Sequence, residues 1–217
     1  MARKQKTSLV VMTSSKSRLP LYYSLLKQLY QEGVKTVSSA TIADYLNINP
    51  VLVRKDLAGA THVCGMPKLG FEVAPLLSDL KEYLGYDNYD EAFLVGVGNL
   101  GHTLLSHKGF KDLGINIVAG FDKNPDLIGK KVGGKAILPM EKMDEFVKRH
   151  GLRIGIITVP SECAQEVCDH MVANGVRAVW NFSFTMLNVP ENVIVKNENL
   201  PVSLALLTQQ LKTLSEQ

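Results

Sequence analysis

Phe93-Leu94-Val95-Gly96-Val97-Gly98-Asn99-Leu100-Gly101-His102 is the stretch on which the reading of this sequence turns. Its apolar start, Ala92 to Val95, is continuous rather than alternating, as in a parallel strand buried on both faces. The run ends in Gly-x-Gly-x-x-Gly, and Leu100, Leu104 and Leu105 then take up helical spacing. Gly96 permits a tight strand-to-helix turn, Gly98 lets the backbone approach a pyrophosphate, and Gly101 lets the helix pack closely on the strand. Free N–H groups and the positive end of the helix dipole would face the phosphates. A second apolar strand, Ile115 to Phe121, ends at Asp122. That is about 20 residues beyond the last glycine, where an acid binds ribose hydroxyls. Lys123 follows it.

The alternation continues outward toward the C-terminus. Gly129 to Gly134 reads as a loop, Ala136 to Leu138 as a short strand and Met140 to His150 as a helix stopped by Gly151. Leu152 to Val159 is again a continuous apolar strand, Pro160 opens a helix to about Ala173, and Ala178 to Asn181 and Val193 to Val195 are further strands. Strands alternating with helices predict a doubly wound parallel sheet, a Rossmann α/β domain. Beyond it, Leu204, Leu207, Leu211 and Leu214 form one apolar stripe on a helix. A completed sheet leaves little room for such a stripe, so a partner subunit is its expected acceptor.

Toward the N-terminus the composition changes. Residues 1–71 carry ten Lys or Arg against three acids, while the remainder is net acidic and the whole chain is only +3. A basic block on an acidic remainder points to a polyanion partner for the first part. A short helix or arm is expected around Leu9 to Met12, and Pro20 is expected near the start of a helix carrying Leu21, Leu25, Leu26 and Leu29. Ser38 and Ser39 can cap a second helix with Ile42, Ala43 and Leu46 inward. After Asn47-Ile48-Asn49, Pro50 opens a third helix, Val51 to Ala58, and the pair reads as helix-turn-helix. With Leu52, Val53 and Leu57 inward, Arg54 and Lys55 face out toward phosphates or base edges. Two short strand-like pieces within Gly59 to Phe71 suggest a β-hairpin wing with Lys68 near its tip and Gly70 at its end. Val73 to Leu84 is a linking helix.

Other classes are disfavoured. No run of about 18 apolar residues is present, so no membrane-spanning helix is expected. The basic start lacks an apolar stretch after it and does not read as a signal peptide. Cys64, Cys163 and Cys168 form no disulfide framework and no C-x-x-C, which suits a reducing cytoplasm, and no metal-ligand spacing occurs.

The order of these parts resembles the Rex family of redox-sensing transcriptional repressors. Arg18-Leu19-Pro20-Leu21-Tyr22-Tyr23 resembles the family's opening helix, Val37-Ser38-Ser39 the entry to its second helix, and Val53-Arg54-Lys55-Asp56-Leu57 its recognition helix. Gly96-Val97-Gly98-Asn99-Leu100-Gly101 resembles its nucleotide loop. Thr158-Val159-Pro160 and Asn181-Phe182 resemble two segments lining its NAD(H) pocket, and Leu187-Asn188-Val189-Pro190 follows as it does there. The resemblance implies a winged-helix domain over residues 1–84, a Rossmann NAD(H)-binding domain over 85–200 and a domain-swapped dimerisation helix over 201–217. It implies a homodimer that binds a palindromic double-stranded operator and lets go when NADH rises relative to NAD+. Ser38, Ser39, Pro50, Arg54, Lys55, Lys68 and Gly70 would face DNA. Ala58-Gly59-Ala60-Thr61 departs from the family's Ser-Tyr-Phe-Gly, and Pro67-Lys68 replaces its wing arginine. The family's switching tyrosine and aspartate align with His107 and Asn199.

Two other readings compete. A small NAD-dependent dehydrogenase needs an acid or base beside the nicotinamide, and His107 is the one candidate. A DNA-binding dimer with a vestigial nucleotide fold is opposed by the intact glycines and Asp122.

Overall fold

The computed structural model describes residues 14–87 and 90–215, and the chain divides at residues 88–89 into two compact units. The expected helix or arm at Leu9 to Met12 lies outside the described residues.

In the first unit, helix α1 (Ser15–Gln31) begins where Ser14 caps it by accepting the Ser17 N–H. Pro20 therefore sits inside this helix rather than near its start, because the Ser14 cap begins the helix five residues earlier than the proline suggested. Strand β1 (Thr36–Val37) leads into α2 (Ser39–Leu46), where Ile42 and Ala43 are buried and Leu46 half-buried. Asn47 adopts a left-handed conformation and ends α2, and Asn49 caps α3 (Pro50–Ala60) by accepting the Val51 N–H at 2.8 Å. The turn between α2 and α3 is thus Asn47 to Asn49, as helix-turn-helix geometry requires. Strand β2 (Phe71–Glu72) precedes α4 (Val73–Tyr83).

Two expectations here need correction. Leu52 is not inward. It is 40% exposed, while the buried face of α3 consists of Val53, Asp56, Leu57 and Ala60. The wing hairpin within residues 59–71 shrinks to a single antiparallel bridge, Met66 with Gly70, around a turn. β2 pairs antiparallel with β1 instead, more than thirty residues earlier. Lys68 does sit in that turn, with positive φ.

Asp56 takes a buried position because its partners are buried with it. Arg18 grips it with two hydrogen bonds, Nε to Oδ2 at 2.7 Å and Nη2 to Oδ1 at 2.8 Å, and the Tyr22 hydroxyl donates to Oδ2 at 2.7 Å. This bidentate pair fastens α3 to α1.

The second unit is a seven-stranded sheet in the order β5-β6-β4-β3-β7-β8-β9. Its strands are β3 (Asp90–Val95), β4 (Ile115–Asp122), β5 (Lys131–Val132), β6 (Lys135–Pro139), β7 (Ile154–Ile157), β8 (Ala178–Asn181) and β9 (Ile194–Asn197). All pair in parallel except β5 with β6. Residues 129–134, expected as a loop, contain β5, since Gly133 and Gly134 turn it back onto β6. The parallel strands realise the doubly wound order with its reversal between β3 and β7. Side chains alternate across the sheet. Ala92 and Leu94 pack with Leu105 of α5 (Asn99–Ser106) on one face. Phe93 and Val95 pack with Met143 and Val147 of α6 (Met143–His150) and with Ala164, Cys168 and Met171 of α7 (Ser161–Ala173) on the other. The last helix, α8 (Leu200–Ser215), is exposed at every residue from 200 to 212. No helix among the described residues is long and apolar enough to cross a membrane.

The ion pair sets a stability prediction. Burial pushes the Asp56 carboxyl up, but the hydrogen bonds from Arg18 and Tyr22 outweigh this and hold it below its usual range. Asp56→Ala is expected to lower the unfolding free energy by about 2 to 3 kcal/mol at neutral pH, measured by urea unfolding. The folded carboxyl is the stronger acid, so its contribution is complete above the unfolded-state pKa and fades as the pH falls through the folded one. The gap between wild type and variant should therefore narrow below about pH 4. A gap independent of pH would refute the assignment.

Candidate functional site

The C-terminal ends of β3 and β7 diverge into a crevice, and Thr158 ties its floor together. The Thr158 N–H donates to the Val95 carbonyl at 2.9 Å, and its hydroxyl donates to the Gly96 carbonyl at 2.6 Å. The three glycines meet different surroundings above this floor. A Cβ on Gly101 would stand 2.0 Å from the Gly96 carbonyl oxygen, and one on Gly96 would stand 2.8 Å from a Val159 methyl, at a φ of +97°. A Cβ on Gly98 would meet nothing within 4 Å. Two glycines thus close the turn, and the third leaves open space in front of it. Helix α5 starts at Gly98 with no side-chain cap, so its first-turn N–H groups are left for a ligand.

Asp122 ends β4 beside this turn. Its Oδ2 accepts the Val97 N–H at 2.6 Å and its Oδ1 accepts the Asn124 N–H at 2.8 Å. A carboxylate has about four acceptor positions, so both oxygens retain capacity for ribose hydroxyls. Asp122 therefore has a second task unseen in the sequence, holding the glycine turn itself.

The crevice opens into a cavity of about 900 Å³. Gly96, Gly98, Leu100, Asp122, Lys123, Thr158, Val159, Pro160 and Phe182 line it. Val97, Asn99, Gly101 and Asn181 do not. Val97 is buried and contributes its N–H to Asp122, while Gly101 packs against Gly96. Asn181 is fully buried. Its Nδ2 donates to the Thr185 carbonyl and to Asn197 Oδ1, and its Oδ1 accepts the Ser183 N–H and hydroxyl. It fixes the loop that carries Phe182, Ser183 and Phe184 to the cavity. Sequence reasoning passed over Cys163, Glu166 and His170 of α7, Met140 and Glu141 in the 3₁₀ turn before α6, and Asp144 in the first turn of α6. Their helical spacing on α7 could have marked the first three as one face. The chemistry of these residues fits a dinucleotide: the open space at Gly98 would admit phosphates and the spare acceptors of Asp122 would take ribose hydroxyls. Among the described residues no cluster of His, Cys, Asp or Glu could hold a metal ion.

His107 lies elsewhere. It ends α5, its Nδ1 accepts the Gly109 N–H at 3.0 Å, and its ring leans on Phe110. Asn199 caps α8 by accepting the Val202 N–H at 3.0 Å.

In the first unit, the outer face of α3 presents Val51, Leu52, Arg54, Lys55 and Ala58. Arg54 donates from Nη1 to the Ser39 hydroxyl at 3.3 Å, which orients it along the α2 side. The Ser38 hydroxyl caps α2 through the Thr41 N–H, and Pro50 occupies the first turn of α3. Gly70 is fixed by packing: its φ is +82°, and a Cβ would stand 2.3 Å from the Val37 carbonyl oxygen. Lys68 is exposed at the turn before it.

Known proteins resemble both units. Residues 87–185 match a family described as CoA binding domain, and residues 13–58 one described as putative DNA-binding protein N-terminus. The redox-sensing transcriptional repressor Rex of Bacteroides fragilis is 40% identical over 194 residues, covering 89% of this chain and 88% of that protein. Its namesake from Carboxydothermus hydrogenoformans is 40% identical over 196 residues, covering 90% of this chain and 94% of that protein. The crystal structure of RSP, a Rex-family repressor, in complex with β-NAD+ and operator DNA matches with a TM-score of 0.83 at 31% identity. That match covers 96% of this chain and 95% of that one. RSP in complex with β-NADH matches with a TM-score of 0.82 at 30% identity, covering 96% and 97%.

The glycines separate binding from folding. Gly98→Ala should leave the thermal midpoint unchanged and weaken NADH binding about tenfold or more, because its methyl fills space meant for the ligand. Gly101→Ala should instead lose about 2 kcal/mol or more of stability, since its methyl meets backbone. Calorimetric titration and thermal unfolding of both variants read the difference. Equal loss of stability in both would contradict the assignment of Gly98.

Proposed function

The chain belongs to the Rex family of redox-sensing transcriptional repressors, and we propose that its second unit senses NADH while its first holds operator DNA. The observation that carries the ligand reading is the open space at Gly98, at the reversal point of the sheet, between two glycines that have none. We assign DNA binding to residues 1–84, nucleotide binding to 85–200 and dimerisation to 201–217. The protein acts as a repressor and not as a dehydrogenase. The relatives it resembles are repressors, and His107, the acid–base candidate of the sequence, is absent from the cavity lining and engaged in capping a turn, although His170 and Glu166 of α7 do border the cavity. The three cysteines are unpaired, in keeping with a reducing cytoplasm.

NAD+ and NADH share their adenosine and pyrophosphate, so Gly96 to Gly101 and Asp122 hold both alike. The nicotinamide, when bound, carries the difference: on reduction the ring gains a hydride, ceases to be aromatic and loses its positive charge. Val159, Pro160 and Phe182 offer it apolar surroundings, which favour the uncharged ring. Asp122 also repels the extra phosphate of NADP(H). To move an operator from almost fully bound to almost free takes a differential affinity of roughly 10⁴, or roughly a hundredfold at each of two sites.

The second copy enters through α8. Leu204, Leu207 and Leu211 are all more than half exposed and lie along one stripe. In water such a stripe is unfavourable, and the same helix of a partner covers it in a homodimer, exchanged between subunits. Two recognition helices then meet the two halves of a palindrome.

Fluorescence anisotropy of a labelled operator at fixed salt is expected to show release by NADH and not by NAD+, and release by neither would overturn the sensing role. For the dimer, Leu207→Glu combined with Leu211→Glu should sediment as a monomer and bind the operator at least tenfold more weakly. A variant that still sediments as a dimer at micromolar concentration would dismiss α8 as the interface.

A further inference from the structure

The outer face of α3 is less polar than an interface for phosphates alone requires. Val51, Lys55 and Ala58 fall four and three residues apart, so they form one ridge. That ridge lies opposite the buried Val53, Leu57 and Ala60. Arg54 flanks it on one side and Leu52 on the other. Val51 stands at the N-terminal end of the ridge, one turn before Lys55, and is 58% exposed. It contributes little to the fold of the first unit: it is outside the buried face of α3, and a β-branched residue is a poorer helix former than alanine. Its polar neighbour Asn49 is occupied, since its side chain caps the helix through the Val51 N–H.

We propose that Val51 reads a thymine in each operator half-site through the base's 5-methyl group. The inference rests on the operator-binding reading above. The N-terminal residues of a recognition helix are the ones that reach base edges in the major groove. Among the groups that base edges present there, the thymine methyl is the apolar one, and a valine has no donor or acceptor for any other. In a helix a valine side chain holds one strongly preferred rotamer, so its two methyls are presented with little left to order on binding. Lys55, one turn along the same ridge, then lies next to the base edges or phosphates that follow the thymine. Arg54 is drawn toward Ser39, on the α2 side. Val51 thus adds a methyl-dependent preference to a face whose cations hold the backbone.

The test replaces thymine by deoxyuridine, which removes the methyl group and keeps the hydrogen-bonding edge. The full-length protein first selects an operator from a palindromic double-stranded pool of random sequence. Each thymine pair in the selected operator is then replaced symmetrically, and binding is measured by anisotropy at fixed salt for wild type, Val51→Ala and Leu52→Ala. For wild type, the symmetric replacement at one position is expected to lose about tenfold, or about threefold for each half-site, the scale of one buried methyl group each. Val51→Ala should bind thymine and deoxyuridine operators equally at that position, and Leu52→Ala should keep the wild-type preference. The proposal is overturned if no replacement weakens wild type, if the penalty persists in Val51→Ala, or if Leu52→Ala abolishes it instead. Failure to select any sequence would overturn the operator-binding reading, and the methyl reading with it.

Discussion

A single close approach governs the nucleotide unit: the backbone of Gly101 against the carbonyl of Gly96, with no room for a Cβ between them. Because α5 can come this near, its N-terminus stands directly over the end of β3. The turn needs fixing from outside, since a glycine-rich backbone loses much conformational freedom when ordered. Two side chains from different strands provide that. Thr158, after β7, bonds the Val95 and Gly96 carbonyls, and Asp122, at the end of β4, bonds the Val97 N–H. Strands β3, β4 and β7 thus each contribute to fixing one glycine turn.

The DNA-facing unit depends on a different constraint. Its recognition helix is short, and its rotation about its own axis decides which side chains face out. Apolar burial of Val53 and Leu57 sets that rotation only coarsely, since a greasy face tolerates some roll. The Arg18–Asp56 pair sets it finely, because two parallel hydrogen bonds require both planes to align. Buried ion pairs add little net stability against an apolar alternative. Specificity of orientation is the better account of this one, placed as it is beside Lys55.

What the sequence revealed and what it hid follow from range. The glycine turn, the strand before it and the aspartate after it were legible because each is a local signal with a local cause. So were the caps at Ser38 and Asn49. The turn at Lys68 is legible, but the pairing of β2 is not, because its partner β1 lies on the far side of two helices and nothing in residues 59–71 points there. The Arg18–Asp56 pair joins residues 38 apart, and a charged residue in a helix reads as surface until its partner is known. Leu52 was expected inward by the same habit in reverse: hydrophobic, hence core. Pro20 was expected to mark a helix start, but Ser14 had already capped that helix. In the candidate site, the strand-end residues were found and the α7 residues were not. Cys163, Glu166 and His170 border the cavity only because the crossover lays α7 along it.

These constraints bear on how a redox state can be sensed at all. The groups proposed to hold the shared part of the two nucleotides, the glycine turn after β3 and Asp122 of β4, are tied into the sheet by hydrogen bonds. The groups proposed to tell the nicotinamides apart are Val159 and Pro160 beyond β7 and Phe182 beyond β8, all of which line the cavity. Asn181 positions the last of these through four hydrogen bonds to its own loop and to β9. A tenfold preference for one ring over the other needs only ~1.4 kcal/mol, within reach of apolar burial against a lost charge. The rigid end supplies affinity common to both forms, which alone shifts no equilibrium between conformations. On the proposed reading the β7–β8 end would carry the contacts that differ between them, and the change of state that separates bound from released operator would start there.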